Sequence, residues 1–150
     1  MRCRNGFVAN SSSSSFIVIN SNGQIENEDL FNGEVFVADN RGETKFGWEN
    51  TIYWKMRDKI NFAYLQTMYA NNQNWLIMLE EVMKDHLGCI DIEWNITTDY
   101  NDKDGKIWSY IDHQSNAEEG ENTEIFNDEE TLRDFLFNPN SYIQGGNDNE

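Results

Sequence analysis

The sequence predicts an α+β fold in which an antiparallel sheet packs against an antiparallel helix pair, with a short C-terminal helix. Short apolar or alternating runs bounded by turn residues predict strands, and two longer stretches with apolar residues every three or four positions predict helices. At 150 residues the chain has the length of one domain, and neither a linker nor a repeat divides it. We therefore expect residues 1–150 to form a single acidic domain.

Three strands are expected before the helices. Phe16–Asn20 is an apolar run that ends at the turn residues Ser21–Gly23, so it predicts a short buried strand. Glu34–Asp39 and Glu43–Trp48 are apolar or alternating runs on either side of Asn40–Gly42, which is a turn sequence. These two runs are therefore predicted to form a hairpin.

Two helices are expected next. Thr51–Ala70 carries an apolar stripe at helical spacing. Trp75–Leu87 carries another, with Asn74 as the expected N-cap and Gly88 as the C-terminal stop. Because only a short polar link separates the two helices, we expect them to pack antiparallel to each other.

A second hairpin is predicted after the helix pair. Ile90–Thr97 alternates apolar and polar residues, as a strand with one buried face does. Lys106–Gln114 is its expected partner, with Asp104 and Gly105 as the turn residues.

A last helix is predicted at Asp128–Phe137. Asn127 and Glu130 form a capping-box pattern at its start. Pro139 ends the helix because proline cannot continue it.

Net charge is the most informative global property. The chain has 27 acidic and 11 basic residues, which gives a net charge of −16. Direct binding to nucleic acid or to anionic lipid is therefore disfavoured, because no basic face would release counterions from them. No apolar run is long enough for a membrane span, and Cys3 and Cys89 show no disulfide framework. These observations predict a soluble cytoplasmic protein.

Part of this charge lies in one acidic tract, residues 117–130, which contains no basic residue. Fully extended, the tract would carry a charge about every 6 to 7 Å, roughly half the density along a DNA strand. Mimicry of DNA would thus need a second acidic strip beside it, for which residues 26–34 offer candidates. The acidic residues of the tract are Glu118, Glu119, Glu121, Glu124, Asp128, Glu129 and Glu130.

Signatures of catalysis and of metal binding are scarce. The sequence has no G-x-S-x-G elbow, Walker loop, dinucleotide-binding glycine pattern or HExxH motif. Asp99–Gly105 superficially resembles a calcium loop, but Lys103 takes the place of an oxygen ligand. His113 adjoins Asp112 on a predicted strand, where neighbouring side chains point to opposite faces. We therefore expect no metal and no cofactor; no catalytic residue can be named, and enzymatic activity is left open.

Both ends of the chain carry distinctive segments. RNGFVANSSSSSFIV, residues 4–18, resembles the signature RNGFVSNSSSSSFIV that opens many small uncharacterised proteins of bacteriophages and some bacteria, with Ala9 in place of a serine. FLFNPNSYIQGGNDNE, residues 135–150, is similar to the end of members of that group. The resemblance implies a phage or prophage origin and an accessory role, and it supplies no activity and no functional residues.

The same two segments predict a possible polar pocket. A serine run disfavours helix because its hydroxyls compete for local backbone groups, so it is expected to form a loop that can bind an anion. The glycines near the C-terminus leave the backbone free to turn beside it. Alternatively, the serines only hold down a tail and the last five residues fray. The residues of this pocket would be Arg4, Asn5, Ser11, Ser12, Ser13, Ser14, Ser15, Asn147, Asp148 and Asn149.

The function that these features favour is binding to a basic surface of a host protein. The acidic tract would steer the encounter, and Trp108 and Tyr110 would provide aromatic anchors, unless they belong to the core. Blocking or redirecting a nuclease, a polymerase or a defence effector fits a phage accessory protein. A small ligand-binding module or an enzyme that uses the serine segment is the alternative, and a virion component is a third class. Oligomeric state is left open.

Overall fold

The computed structural model describes residues 13–21, 33–39, 44–48 and 51–147, and it confirms the α+β class. Three helices and nine strands are found in these residues, together with two 3₁₀ turns at Ala117–Glu119 and Glu124–Phe126. The helices are α1 (Met56–Ala70), α2 (Gln73–Leu87) and α3 (Glu129–Phe137). The strands are β1 (Ser13–Val18), β2 (Val35–Ala38), β3 (Lys45–Phe46), β4 (Ile52–Tyr53), β5 (Asp91–Trp94), β6 (Ile96–Thr97), β7 (Ile107–Trp108), β8 (Tyr110–Ile111) and β9 (Tyr142–Asn147).

An antiparallel sheet joins the two ends of the described chain. Its strand order is β1-β9-β4, so β9 lies in the middle. The register runs from Ser13 opposite Asn147 to Val18 opposite Tyr142. The expectation that the serine run is a loop is therefore wrong for residues 13–15, which are strand. The pairing with β9 satisfies backbone groups that the sequence-based prediction assigned to local serine hydroxyls.

The remaining strand pairs are parallel, which overturns both predicted hairpins. β2 pairs with β5, β3 with β8, and β6 with β7. Helices α1 and α2 form the crossover between β2 and β5, as a parallel pair requires. Residues 98–106, which contain the predicted turn at Asp104 and Gly105, instead form a short crossover between β6 and β7. Turn residues indicate that the chain changes direction, but they do not identify which strand will lie alongside.

The helix pair is found near its predicted position with shifted starts. α1 begins at Met56 rather than Thr51, because Ile52–Tyr53 pairs with β9 as strand β4. The N-cap of α2 is Asn72, whose side chain accepts a hydrogen bond from the backbone N–H of Trp75. Gly88 ends α2 in the left-handed conformation, as predicted.

The core connects the helices to the sheets through aromatic side chains. The Phe62 ring on α1 meets the Phe46 ring edge-on at 5.3 Å, and it lies 6.1 Å from the Phe135 ring on α3. All three residues are fully buried. None of the helices in the described residues is long and apolar enough to span a bilayer.

Candidate functional site

The acidic tract folds back on itself and is not extended. Its two 3₁₀ turns are linked through Gly120 and Asn122, both of which have positive φ. The comparison with the charge density of DNA therefore does not apply to this conformation. Five of its acidic residues are exposed and two, Glu121 and Glu124, are half-buried.

Gln66 of α1 clamps the first half of the tract. This side chain is fully buried, and its Oε1 accepts a hydrogen bond from the Ala117 N–H at 2.8 Å. Its Nε2 donates to the carbonyl oxygens of Glu121 and Asn122, both at 3.0 Å. One helical amide thus fixes the backbone on both sides of Glu118 and Glu119.

Two buried asparagines complete the clamp. The side chain of Asn116 donates to the carbonyl of Ile111 at 3.2 Å and accepts from the Glu118 N–H at 2.9 Å. The side chain of Asn122 donates to the carbonyl of Ser115 at 2.9 Å. A backbone held in this way loses little further conformational freedom when a partner binds.

The second half of the tract starts α3. Asp128 is the N-cap, in place of the predicted Asn127, and its Oδ1 accepts from the Thr131 N–H at 2.7 Å. Hydrogen bonds from Thr131 lower the pKa of Asp128. Glu129 and Glu130 occupy the first turn, where the helix dipole favours negative charge. These three carboxylates therefore lie together at a fixed helix terminus.

The predicted anchors Trp108 and Tyr110 lie on the same face of β7 and β8. Their rings stack with centroids 5.1 Å apart, and both residues are half-buried. Ser109 and Ile111 point the opposite way and are buried. The Trp108 indole donates to the carbonyl of Thr98 at 2.8 Å, which fixes the orientation of its ring.

Two further aromatic residues adjoin this pair, although neither was predicted as part of a site. The Tyr100 ring meets the Trp108 ring edge-on at 5.7 Å, and the residue is 72% exposed. Trp48 is 52% exposed, and its indole hydrogen-bonds to the Tyr110 hydroxyl. We call Trp48, Tyr100, Trp108 and Tyr110 the aromatic patch. Sequence could not have grouped them, because the parallel register that brings their segments together leaves no local signal.

Tyr69 of α1 links the acidic tract to the aromatic patch. Its hydroxyl accepts a hydrogen bond from the Ile111 N–H at 3.1 Å. Burial raises the pKa of Tyr69, and negative charge on Glu118, Tyr110 and Asp112 raises it further. Glu118, near the start of the acidic tract, and Tyr110 of the aromatic patch therefore both lie near the Tyr69 side chain.

The predicted polar pocket is described only in part. Ser13, Ser14 and Ser15 lie opposite Asn147, Gly146 and Gly145, so the two terminal segments are neighbours. On the other side of β9, the N–H of Gly145 donates to the Thr51 carbonyl at 2.8 Å. The backbone of Gly145 is thus engaged in the sheet, and it is not a free anion-binding group. The other members of the pocket lie outside the described residues: Arg4, Asn5, Ser11, Ser12, Asp148 and Asn149.

The other segments considered for metal binding or catalysis do not form such a site in the described residues. In the crossover at residues 98–106, Asp99 and Asp102 accept hydrogen bonds from the backbone N–H groups of Asn101 and Asp104. No group of three histidine, cysteine or acidic residues in the described part of the chain is arranged to hold a metal ion. His113 and Asp112 do not lie on opposite faces of a strand as expected, because β8 ends before them, and His113 Nδ1 lies 3.7 Å from Asp112 Oδ1.

Comparison with known proteins leaves the function to be inferred from the surface chemistry. No protein-family model, curated protein or solved structure matches the chain. Two features of the described residues therefore carry the functional argument: a clamped acidic tract and an adjacent aromatic patch.

Proposed function

We propose that this chain is a phage-type accessory protein that binds a basic surface of a host protein through the acidic tract. The bound host protein would be a nucleic-acid-handling or defence protein, which the interaction inhibits or redirects. The phage origin rests on the resemblance of the two terminal segments to small phage proteins. The choice of a basic partner rests on the charge and rigidity of the tract.

The clamp by Gln66 is the observation that carries this proposal. It fixes the backbone around the acidic side chains in a segment without a basic residue, so negative charge is presented in a set arrangement. Fixed charge of one sign accelerates the approach of an oppositely charged surface and selects against acidic competitors. Exposed charges are screened over about 8 Å at physiological salt, so binding should weaken as salt is added.

Affinity capture from a host lysate at low and high salt tests the proposal. The wild-type chain should retain one host protein at low salt and lose it at high salt. A variant with Glu118→Gln, Glu119→Gln and Glu129→Gln should lose it at both. The matched control makes the same change in net charge at exposed acids elsewhere, namely Glu34→Gln, Glu81→Gln and Glu93→Gln. If both variants lost the host protein to the same extent, net charge, and not the tract, would be responsible for capture.

The alternative is a small ligand-binding module or enzyme that uses the serine segment and the C-terminal GGNDN segment. It is supported by the register that places Ser13 opposite Asn147. On this alternative, a small molecule stays bound through gel filtration of the wild-type chain. Ser13→Ala with Ser14→Ala would release it, whereas the glutamine changes in the acidic tract would not.

A further inference from the structure

The aromatic patch already has a cation against one of its rings. The ammonium nitrogen of Lys45, on β3, lies 5.7 Å from the centroid of the Trp108 ring. This distance is within the range of a cation–π interaction. The face of Trp108 is therefore accessible to a positively charged group.

We infer that the aromatic patch is the docking site for an arginine side chain of the partner protein, which would take the place of Lys45 beside Trp108. The inference rests on the proposed function and specifies which chemical group the partner must present. A guanidinium stacks on an aromatic ring better than an ammonium does, because it is planar and less strongly hydrated.

Charge complementarity selects a cationic peptide as the occupant. Asp99 adjoins Tyr100 in the chain, Asp112 adds a negative charge that acts on Tyr110, and Glu118 lies near Tyr69 beside them. A nucleic acid could stack its bases on the same rings, but its phosphates would be repelled by a protein with a net charge of −16. A second copy of this chain would be repelled for the same reason.

The rings are held ready for such a ligand. Trp108 is restrained by its hydrogen bond to the Thr98 carbonyl and by stacking on Tyr110. Tyr110 is in turn restrained by the hydrogen bond between its hydroxyl and Trp48. Tyr100 stands edge-on to Trp108, so it can form a second wall for an inserted side chain. Rings restrained before binding lose little entropy in the complex.

The test is an NMR titration of the isotope-labelled full chain with the peptide Gly-Arg-Gly-Arg-Gly. The indole N–H signals report on each tryptophan separately. We expect a saturable shift of the Trp108 signal, a weaker response to the matched lysine peptide, and none to the glutamate peptide. Equal responses to the arginine and lysine peptides would overturn the inference. So would a saturable shift of the Trp108 signal caused by a single-stranded oligonucleotide or an oligosaccharide, if the arginine peptide caused none.

Three variants assign the response to the patch. Tyr100→Ala, at an exposed position, should weaken binding of the arginine peptide roughly fivefold. Lys45→Met removes the internal cation and should strengthen binding, a direction that simple loss of structure cannot produce. Trp54→Leu is the control, because Trp54 is exposed and lies outside the patch. Equal affinities for the Tyr100 and Trp54 variants would overturn the inference.

The titration and the lysate capture can fail separately. If Tyr100→Ala leaves peptide affinity unchanged while the wild-type chain still captures a salt-sensitive partner, the inference is wrong and the proposed function stands. If peptide affinity depends on Tyr100 but no host protein is captured, the patch does bind arginine and the proposed function is wrong.

Discussion

Lys59 shows how one residue ties distant segments together. It is 1% exposed on α1, and its Nζ donates to the carbonyls of Asn138 and Ser141, both at 2.8 Å. The side chain of Asn138 in turn donates to the carbonyl of Asn20 at 2.7 Å. A neutral amine has two N–H groups for these two carbonyls, whereas the third proton of an ammonium has no acceptor in the described part of the chain. Burial accordingly lowers the pKa of Lys59 to about 8.

This shift predicts how stability depends on pH. The pKa of Lys59 is about 8 in the folded chain and 10.5 ordinarily, so between these values the unfolded chain binds more protons. The contribution of Lys59 to the free energy of unfolding should therefore rise with pH across this window, by up to about 3 kcal/mol. Tyrosine and cysteine ionisation affects wild type and variant alike, so the quantity to measure is the difference between wild type and Lys59→Met in chemical denaturation.

The exposed Lys103 provides the control for this prediction. Lys103→Met removes the same charge from a solvated position, so the difference between wild type and this variant should stay flat with pH. A flat difference for Lys59→Met as well would show that its amine is not held in a desolvated state.

At the scale of the element, local patterns predicted the three helices and most of the strands, but they missed β4 and β9 and did not identify which strands pair. The helical spacing of α2 and its stop at Gly88 are local properties, so the sequence contains them. Alternation placed Trp108 and Tyr110 on one face for the same reason. The pairing of β6 with β7 and the position of β9 between β1 and β4 depend on contacts between distant segments. Trp48 was missed because it follows β3, which reaches the patch only through its pairing with β8. Tyr100 was missed because it follows β6, which reaches the patch only through its pairing with β7.

Substitution of Gln66 tests whether α1 holds the acidic tract in place. Gln66→Ala removes three hydrogen bonds and leaves one buried and one half-buried carbonyl without this donor, so it should lower the free energy of unfolding by about 3 kcal/mol. Hydrogen exchange should also speed up locally at the amides of residues 117–121. Gln73→Ala, at an exposed position on α2, is the matched control and should change neither. Unchanged exchange in the tract of the Gln66 variant would show that the clamp does not hold it.

At the scale of the whole molecule, the last described strand completes the first sheet. β9 pairs with β1 across almost the whole length of the chain, and Ile143 on β9 is fully buried. Contacts this distant in sequence form only after a large loss of chain entropy, so folding should be slow compared with that of helical proteins of similar size. The sheet cannot form until residues 142–147 are present.

Truncation therefore separates the strand from the residues beyond it. A chain ending at residue 141 leaves β1 and β4 without their shared partner and removes Ile143 from the core. Because folded domains are stable by only about 5–15 kcal/mol, this loss should abolish the cooperative thermal transition measured by circular dichroism. A chain ending at residue 147 keeps every strand pair that the structure describes and should retain the transition. If the shorter chain still unfolded cooperatively, the parallel strands and the helices would form a stable unit without this sheet. The folding of the acidic tract and the aromatic patch would then not require strand β9.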